Sequence, residues 1–376
     1  MITQGGIARP GTIGFMPAMF DFAARVSERF DLTVYGTSSG ENDEGSFSCG
    51  KARVILTKAK FSDSIFKKIR MIAAAVLHDH RTDPFDMIHG QWALPGGVIA
   101  VGLGKILGLP SVVTIRGADA ASVREVGYGH FLRARTRIPT RWACARSTVL
   151  TTLTAFQIQQ LSRYGLKRKD IRAIPVGVDT GLFKPPHLPR PQPPPLNLLH
   201  VGNITGVKNH DGLLRLFKTL TERIDARLRV IGPDYMNGQI QRLAESLGLA
   251  ERTEFLGRVR HEDLVGHYQW AHLLLHTSFY EGQGMVIAEA AACGTIPCGS
   301  RVGLLADLDG ICSVSAQPGN TGGLAKMILD LLDSSSQMDK LRANGRDWAV
   351  QNDIHWTVDQ YTRLYNNVLA GGGAGD

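Results

Sequence analysis

Two carboxylates eight positions apart mark the stretch SFYEGQGMVIAEAAACGTIPCGSRVG, residues 278–303. Glu281 precedes two glycines, and Glu289 lies in the apolar run MVIAEAAA, which carries no other charge. A carboxylate can accept two hydrogen bonds from a vicinal diol, the arrangement that sugars and ribose present. An acid buried in an apolar run also needs a polar partner. The pattern favours carbohydrate binding over the alternative, a charge at a helix start and a solvated helix residue.

The glycines between these acids predict a helix that begins near residues 283–285. A strand candidate, residues 271–277, precedes it. The first N–H groups of a helix lack intrahelical acceptors and carry the positive end of its dipole. Because glycine has no Cβ, a ligand can approach such a backbone closely. We therefore expect the backbone of Gly282, Gln283, Gly284 and Met285 to contact a ligand.

Length and composition describe a soluble globular protein with more than one domain. The chain has 376 residues, of which 43% are hydrophobic and 20% charged. No apolar run is long enough to predict a bilayer-spanning helix, and the first residues lack the pattern of a signal peptide. The five cysteines are scattered without the spacing of a zinc site, which predicts reduced thiols in a cytoplasm-like compartment and no bound metal.

The positive charge is concentrated in the first half of the chain. Residues 1–180 contain 24 Lys and Arg against 14 Asp and Glu, a net +10, whereas residues 181–376 have a net −2. The segment 129–146 is rich in arginine and has no acid. A solvated helix face is one interpretation of that segment; contact with an anionic acceptor or membrane surface is the other. No nucleic-acid-binding motif accompanies this charge.

Short apolar strand candidates alternate with amphipathic helix candidates on both sides of a proline-rich stretch, residues 183–197. Such alternation predicts parallel sheets covered by helices on both faces, hence two doubly wound α/β domains. The strand candidates are FDLTVYG, FDMIHG, PSVVTIRG, STVLTT and IRAIPVG before that stretch, and LNLLHVGN, ARLRVIGP, TEFLGRV, AHLLLHTS and GTIPCGS after it. Ligands of doubly wound sheets bind at the carboxyl ends of the strands, where residue 281 would lie.

The stretch 278–303 resembles the E-x7-E signature of the family 4 retaining glycosyltransferases. Other segments resemble that family in the expected order: residues 85–119, RAIPVGVDTGLF, LLHVGNITGVKN, FLGRV and GTIPCGSRVG. The resemblance implies the GT-B fold, two Rossmann-like domains that face a cleft. It implies an N-terminal acceptor-side domain 1–184, a linker 185–195, a nucleotide-sugar-binding domain 196–350, and a C-terminal helix 351–370 that returns to the first domain.

The resemblance also implies roles for residues in the second domain. Glu289 would hold the ribose hydroxyls of a nucleotide sugar, and Glu281 with the backbone of 282–285 would hold the transferred sugar. Lys208 occupies the position of a lysine that binds the donor diphosphate. Asn203 stands where the family usually has an arginine, and Arg258 is a candidate substitute for that charge.

In the first domain, Gly6 belongs to a Gly-Gly pair that is expected to line the donor site after a very short first strand. Arg116 replaces a histidine that the family often has near the acceptor. Arginine cannot act as a base at neutral pH, but it can bind an anion. Asp119 is equally compatible with a helix cap and with a site residue.

The predicted function is retaining, metal-independent transfer of a hexose-type sugar from a UDP- or GDP-linked donor to an acceptor hydroxyl in glycan, polysaccharide or glycolipid assembly. No cofactor beyond the nucleotide sugar is expected. The expected partners are the nucleotide sugar, a glycan or lipid-linked acceptor and an anionic membrane surface, in the cytoplasm or peripherally on the inner membrane face. The alternatives are a catalytically silent nucleotide-sugar-binding module, and a sugar-phosphate synthase or nucleotide-sugar epimerase of the same fold.

Overall fold

The computed structural model describes residues 1–8, 16–38, 44–187, 190 and 193–372. The chain forms two compact units, Met1–Val176 with Ile354–Asp376 (unit 1) and Gly177–Asp353 (unit 2). This division precedes the segment 185–195, because Val178 and Phe183 already pack in an apolar core of unit 2. Residues 188, 189, 191 and 192 of the predicted linker lie outside the described residues.

Unit 1 is built on a mainly parallel sheet. Its strands are β1 (Thr33–Ser38), β2 (Gly45–Cys49), β3 (Ala52–Lys60), β4 (Ile88–Gln91), β5 (Ser111–Ile115), β6 (Val149–Thr152) and β7 (Arg172–Ala173), and its first helices are α1 (Pro17–Val26), α2 (Ile65–Thr82), α3 (Val98–Leu107), α4 (Ala134–Arg146) and α5 (Ala155–Arg163). The strands β4 to β7 pair in sequence order and in parallel. Strand β3 pairs in parallel with β1 and antiparallel with β2.

The short first strand predicted from the sequence is a single pairing residue. Ile2 forms parallel bridges both to Tyr35 in β1 and to Gly90 in β4. Its N–H donates to the His89 carbonyl at 2.7 Å, and its carbonyl accepts the Gln91 N–H at 2.8 Å. Residues 1–3 thus link the two strand groups of unit 1.

Unit 2 contains one six-stranded, fully parallel sheet in the order β10-β9-β8-β11-β12-β13. Its strands are β8 (Leu196–Val201), β9 (Ala226–Ile231), β10 (Thr253–Gly257), β11 (Leu273–His276), β12 (Ile296–Ser300) and β13 (Val314–Ala316). Its helices are α6 (His210–Thr221), α7 (Gln239–Ser246), α8 (Leu264–Trp270), α9 (Met285–Ala292), α10 (Leu304–Asp307), α11 (Thr321–Leu332) and α12 (Ser335–Gln351). Every residue of β8, β11 and β12 is buried, as expected for central strands covered on both faces.

The last helix, α13 (Ile354–Leu369), belongs to unit 1. Its fully buried Tyr361 packs edge-on against Phe22 of α1, with ring centroids 4.9 Å apart. The Tyr365 hydroxyl hydrogen-bonds with His89 Nδ1 at 2.6 Å, and Thr357 Oγ1 donates to the Pro175 carbonyl at 2.9 Å. Aromatic packing and buried hydrogen bonds therefore fix α13 on unit 1.

Within the ranges that the structure describes, no helix combines the length and apolar character needed to cross a membrane. The five cysteines are free and buried.

Replacing Tyr361 with alanine should leave a cavity between α13 and α1 and lower the free energy of unfolding by about 3–5 kcal/mol, the usual cost of deleting a buried aromatic ring. Urea unfolding monitored by circular dichroism measures the loss. Val350→Ala changes an exposed side chain of α12 and should shift stability by less than about 0.5 kcal/mol. Equal effects of the two substitutions would contradict the proposed anchoring by Tyr361.

Candidate active site

Two neighbouring parallel strands bring Lys208 and Glu281 together. Strands β8 and β11 pair in parallel, so their carboxyl ends lie at the same edge of the sheet. The loops that follow are joined by a hydrogen bond from the Phe279 N–H to the Val207 carbonyl, 2.8 Å long. Lys208 ends a short helical turn after β8, and its Nζ lies 2.7 Å from Glu281 Oε1. The two predicted catalytic residues therefore form a partly buried ion pair.

The same carboxylate oxygen accepts two further hydrogen bonds. The Ser278 hydroxyl donates to Glu281 Oε1 at 2.7 Å, and the His276 ring approaches it with Nε2 at 2.8 Å. A carboxylate only accepts hydrogen bonds, so Nε2 of His276 carries the proton. The other oxygen, Oε2, has no hydrogen-bond partner among the described residues and is not enclosed. One carboxylate oxygen is thus fixed by the protein and the other is available to a ligand.

Burial of the Glu281 carboxyl group opposes its ionisation. The positive charge of Lys208 and the hydrogen bond from His276 outweigh that cost and hold the pKa of Glu281 well below its ordinary value. Glu281 is therefore ionised at neutral pH and acts as a hydrogen-bond acceptor.

The neutral imidazoles of His200 and His210 lie behind this ion pair. The fully buried His276 ring stacks on His200 with centroids 5.8 Å apart, and His200 contacts the ring of His210 at 4.6 Å. Burial lowers the pKa of His200 well below its ordinary value and that of His210 to about 4. Nδ1–H of His200 donates to the Leu275 carbonyl at 2.9 Å. These uncharged rings occupy the space behind Lys208 and His276 without adding positive charge.

The loop between β11 and α9 has the geometry that its glycines predict. Gly284 adopts φ +81° as the residue before α9, and a Cβ there would lie 2.6 Å from Ile287 Cδ1. Gly303 has φ +55°, and a Cβ on it would lie 2.5 Å from the Gln283 carbonyl oxygen. The Leu304 N–H donates to that carbonyl at 2.9 Å. Helix α9 begins at Met285, within the predicted range of residues.

Small residues hold α9 against α12. A Cβ built on Gly345 of α12 would lie 3.4 Å from the Cβ of Ala291. The central and last residues of α9, Ile287 to Ala292, are all buried. The absence of larger side chains at this contact allows the two helix backbones to approach closely.

Glu289 has the hydrogen-bond partners that a buried acid requires. Its carboxylate accepts a hydrogen bond from the Tyr268 hydroxyl at 2.6 Å through Oε2 and one from His261 Nε2 at 2.9 Å through Oε1. Burial and the neighbouring carboxylate raise the pKa of Tyr268 well above its ordinary value, so its hydroxyl remains a donor. Each carboxylate oxygen has two lone pairs, which leaves acceptor capacity at Glu289 for a ligand.

The remaining predicted donor residues of unit 2 lie at the same edge of the sheet. Asn203 is exposed in the loop after β8, five positions before Lys208. Arg258 is exposed directly after β10 and forms no ion pair with any described residue. Both side chains are accessible, and their roles stay predictions.

In unit 1, Asp119 is fully buried and binds backbone N–H groups. Its carboxylate accepts from Gly117 N at 2.7 Å, Ala93 N at 2.9 Å and Arg116 N at 3.2 Å. These contacts fix the turn after β5. The Arg116 side chain does not bind Asp119; its Nε donates to Gln91 Oε1 at 2.6 Å.

Gly6, at the start of unit 1, has φ +83°, a conformation that favours glycine. Its carbonyl accepts the Met16 N–H before α1.

Two family models cover most of the chain. A model described as "Glycosyltransferase Family 4" matches residues 19–182, and one described as "Glycosyl transferases group 1" matches residues 189–348. The chain belongs to the family 4 glycosyltransferases. The family recognised from the E-x7-E stretch is confirmed, and the protein is a glycosyltransferase.

Similar proteins support this assignment. This family 4 glycosyltransferase is 26% identical over 299 residues to the MMP alpha-(1->4)-mannosyltransferase of Mycolicibacterium hassiacum, covering 76% of this chain and 71% of that protein. Its fold is similar to that of sucrose-phosphate synthase from Thermosynechococcus elongatus, with TM-score 0.81, 20% identity and coverage of 94% and 92%. Anabaena HepE in complex with UDP and glucose gives TM-score 0.74, 18% identity and coverage of 97% and 98%. The predicted GT-B class with two Rossmann-like α/β domains is confirmed.

Several site residues of this glycosyltransferase were not predicted from the sequence. His276 and Ser278 are close to Glu281 in the chain, and a polar pair at the end of the apolar strand LLLH was a usable signal. Tyr268 and His261 lie 21 and 28 positions before Glu289. No spacing rule connects them, because the contacts arise only from the packing of α8, and of the turn before it, against α9.

Replacing Glu281 with glutamine should lower the free energy of unfolding by about 2 kcal/mol at neutral pH, because Lys208 loses its counter-charge in a partly buried site. The folded pKa of Glu281 lies below the ordinary 4.5. The carboxylate's contribution is therefore complete above pH 4.5 and is lost as the pH falls towards the folded pKa. The difference between wild type and variant should thus shrink below pH 4.5.

Urea unfolding of both proteins at about pH 7, 4.5 and 3.5 measures this difference. Glu245→Gln, at an exposed position of α7, serves as the control and should leave stability nearly unchanged at each pH. A difference between Glu281→Gln and wild type that stays constant down to about pH 3.5 would contradict a depressed pKa.

Proposed function

We propose that this chain is a retaining glycosyltransferase that moves a hexose-type sugar from a UDP- or GDP-linked donor to an acceptor hydroxyl without a metal ion. The observation that carries the proposal is the Lys208–Glu281 ion pair beside the start of α9. It combines a cation for a leaving diphosphate with a carboxylate oxygen that is free to accept sugar hydroxyls. Both groups lie at the carboxyl ends of parallel strands, where this class of sheet binds ligands.

Each group has a distinct task in this proposal. Lys208 and the N–H groups at the start of α9 stabilise the negative charge that develops on the leaving diphosphate. Glu281 Oε2 accepts hydrogen bonds from hydroxyls of the transferred sugar, while Oε1 stays bound to His276 and Ser278. His276 is a positioning residue, since it fixes the carboxylate and does not reach the sugar itself.

Glu289 supplies the nucleotide contact in the proposal. Its carboxylate is fixed from one side by Tyr268 and His261, and it accepts the ribose hydroxyls with its remaining lone pairs. Asn203 and Arg258 contribute polar contacts to the diphosphate. The UDP and glucose bound by Anabaena HepE support a uridine nucleotide and a hexose as the donor.

The proposed transfer proceeds with retention. The bond between the sugar C1 and the diphosphate oxygen breaks while the sugar develops oxocarbenium character. The departing diphosphate oxygen takes the proton of the acceptor hydroxyl, whose oxygen forms the new bond to C1 on the same face. No protein nucleophile is invoked. Exclusion of water prevents hydrolysis of the donor instead of transfer.

Replacing Glu281 with glutamine should lower the turnover rate about 100-fold or more, because the residue contacts the sugar. The affinity for the nucleotide should stay largely unchanged. Glu289→Gln should weaken binding of the free nucleoside diphosphate about tenfold, which corresponds to one lost charged hydrogen bond. Calorimetric titration with UDP and GDP and the release of nucleoside diphosphate from a donor panel measure both effects. Glu245→Gln is the control.

The outcomes separate the alternatives. Failure to bind any donor at millimolar concentration would contradict the transferase proposal and favour the catalytically silent module. Release of nucleoside diphosphate only with a sugar phosphate acceptor would identify the reaction as that of a sugar-phosphate synthase, which differs from the proposed transferase only in its acceptor. Conversion of the nucleotide sugar to its epimer without an acceptor would favour the epimerase.

We also propose that the enzyme works in the cytoplasm at an anionic membrane surface, in polysaccharide or glycolipid assembly. Arg133, Arg135 and Arg137 at the start of α4 are exposed and form no ion pair with described residues. Ile138 on the same helix is 65% exposed. Exposed bases with an apolar side chain among them are typical of a surface that binds anionic lipid headgroups.

The triple substitution R133Q/R135Q/R137Q should reduce co-sedimentation with vesicles that contain anionic phosphatidylglycerol, because each base contributes about 1 kcal/mol near such a surface. High salt should reduce wild-type binding in the same way. A matched triple change of exposed arginines in unit 2, R223Q/R227Q/R346Q, controls for net charge. Equal binding by both triple variants would contradict a role for α4.

A further inference from the structure

Arg116 occupies the first position after β5 in unit 1, at the carboxyl edge of the parallel sheet. Strand β4 lies beside β5, with Gln91 paired to Thr114, and ends at Gln91. The side chain of Arg116 therefore starts where doubly wound sheets bind their ligands. The roles assigned above to Lys208, Glu281 and Glu289 do not use it.

The protein fixes the guanidinium from one side only. Nε donates to Gln91 Oε1 at 2.6 Å, and Gln91 is fully buried. The amide nitrogen of Gln91 lies 3.2 Å from the ring nitrogen Nε2 of His89, which burial keeps neutral with a pKa well below its ordinary value. The guanidinium carbon lies 5.7 Å from the centre of the Trp92 ring. Gln91 and Trp92 therefore orient the group.

Neither terminal nitrogen of this guanidinium forms an ion pair with a described residue. Nη2 is buried without a hydrogen-bond partner, and Nη1, which is not enclosed, also has no partner among the described residues. The neighbouring carboxylate of Asp119 forms no ion pair with it, because backbone N–H groups take up that carboxylate. Burial lowers the pKa of Arg116 from its ordinary value, and arginine remains protonated at neutral pH.

A partly buried cation whose terminal nitrogens contact no anion is costly, which makes an external anion the expected partner. With Nε held by Gln91 and Nη2 enclosed by the protein, Nη1 is the donor that a ligand can reach. Nη1 can donate a charge-assisted hydrogen bond to an oxygen of a phosphate or carboxylate group. A neutral sugar hydroxyl would satisfy one N–H at most and would leave the charge unbalanced.

We propose that Arg116 is the anion-recognition residue of the acceptor site, so that the acceptor carries a phosphate or carboxylate group that binds Nη1. The inference rests on the proposed function and deepens it, since it assigns the chemical class of the acceptor. Phosphate and carboxylate share the required anionic oxygen, and a phosphate can belong to a small molecule or to a lipid headgroup.

The test compares acceptors that differ only in the anionic group, with the donor that the wild-type enzyme accepts. Glucose, glucose 6-phosphate and glucuronate form one series; inositol, inositol 1-phosphate and phosphatidylinositol vesicles form a second. The initial rate of acceptor-dependent nucleoside diphosphate release is measured for each. We expect the anionic members to be preferred. The acceptor with the highest rate shows whether the site binds a small phosphate, a carboxylate or a lipid headgroup.

Arg116→Gln should reduce kcat/KM for the preferred anionic acceptor about 10- to 100-fold, the range for a lost hydrogen bond to a charged group, and should affect kcat/KM for the neutral acceptor of the same series much less. Arg116→Lys keeps the charge but not the planar fork, so it should retain an intermediate rate. The affinity for UDP should not change in either variant. Arg81→Gln, at an exposed position of α2, controls for loss of one positive charge from unit 1.

Equal use of neutral and anionic acceptors, or an unchanged anionic preference in Arg116→Gln, would overturn the inference. If the wild type binds no nucleotide, the proposed function fails instead. Calorimetric titration with inorganic phosphate then still decides the anion site, because only wild type and Arg81→Gln should bind it. Should Arg116→Gln melt at a clearly lower temperature than wild type, the comparison rests on Arg116→Lys in both assays.

Discussion

One carboxylate oxygen, Oε1 of Glu281, joins three segments of unit 2. It accepts hydrogen bonds from Lys208, His276 and Ser278, which come from the loop after β8, the end of β11 and the loop that follows β11. The arrangement exists because β8 and β11 are neighbours in a parallel sheet, although their first paired positions, Leu198 and Leu273, are 75 positions apart in the sequence. The loop 277–284 follows directly after β11. The pairing of β8 with β11 therefore determines where the free carboxylate oxygen, the lysine ammonium group and the start of α9 lie.

The two acids of the signature stretch lie in different electrostatic environments. Glu281 balances a lysine charge, and its pKa is depressed. Glu289 is held by a tyrosine hydroxyl and an imidazole, and no Lys or Arg forms an ion pair with it in the described part of the chain. In the proposed function this difference corresponds to a division of labour. The acid beside the cation serves the reacting sugar, and the acid away from it serves the nucleotide.

The sequence was sufficient for the parts of the structure that local rules determine. Alternation of apolar strands and amphipathic helices predicted two α/β units, and the glycines around residue 283 predicted the start of α9. The partners of Glu289 could not be predicted, because Tyr268 and His261 reach it only through the packing of α8. The boundary of unit 2 also differs from the proline-rich segment, since Phe183 already packs in its core. Asp119 was open between two roles, and three-dimensional contacts show which backbone N–H groups it binds.

The contact between Ala291 and Gly345 has a consequence for how this enzyme can change. A methyl group at position 345 would lie in ordinary van der Waals contact, 3.4 Å from the Cβ of Ala291, whereas a longer side chain would press α9 away from α12. Alanine is therefore the largest residue that position 345 can accept without moving α9 and the loop that ends at Gly284.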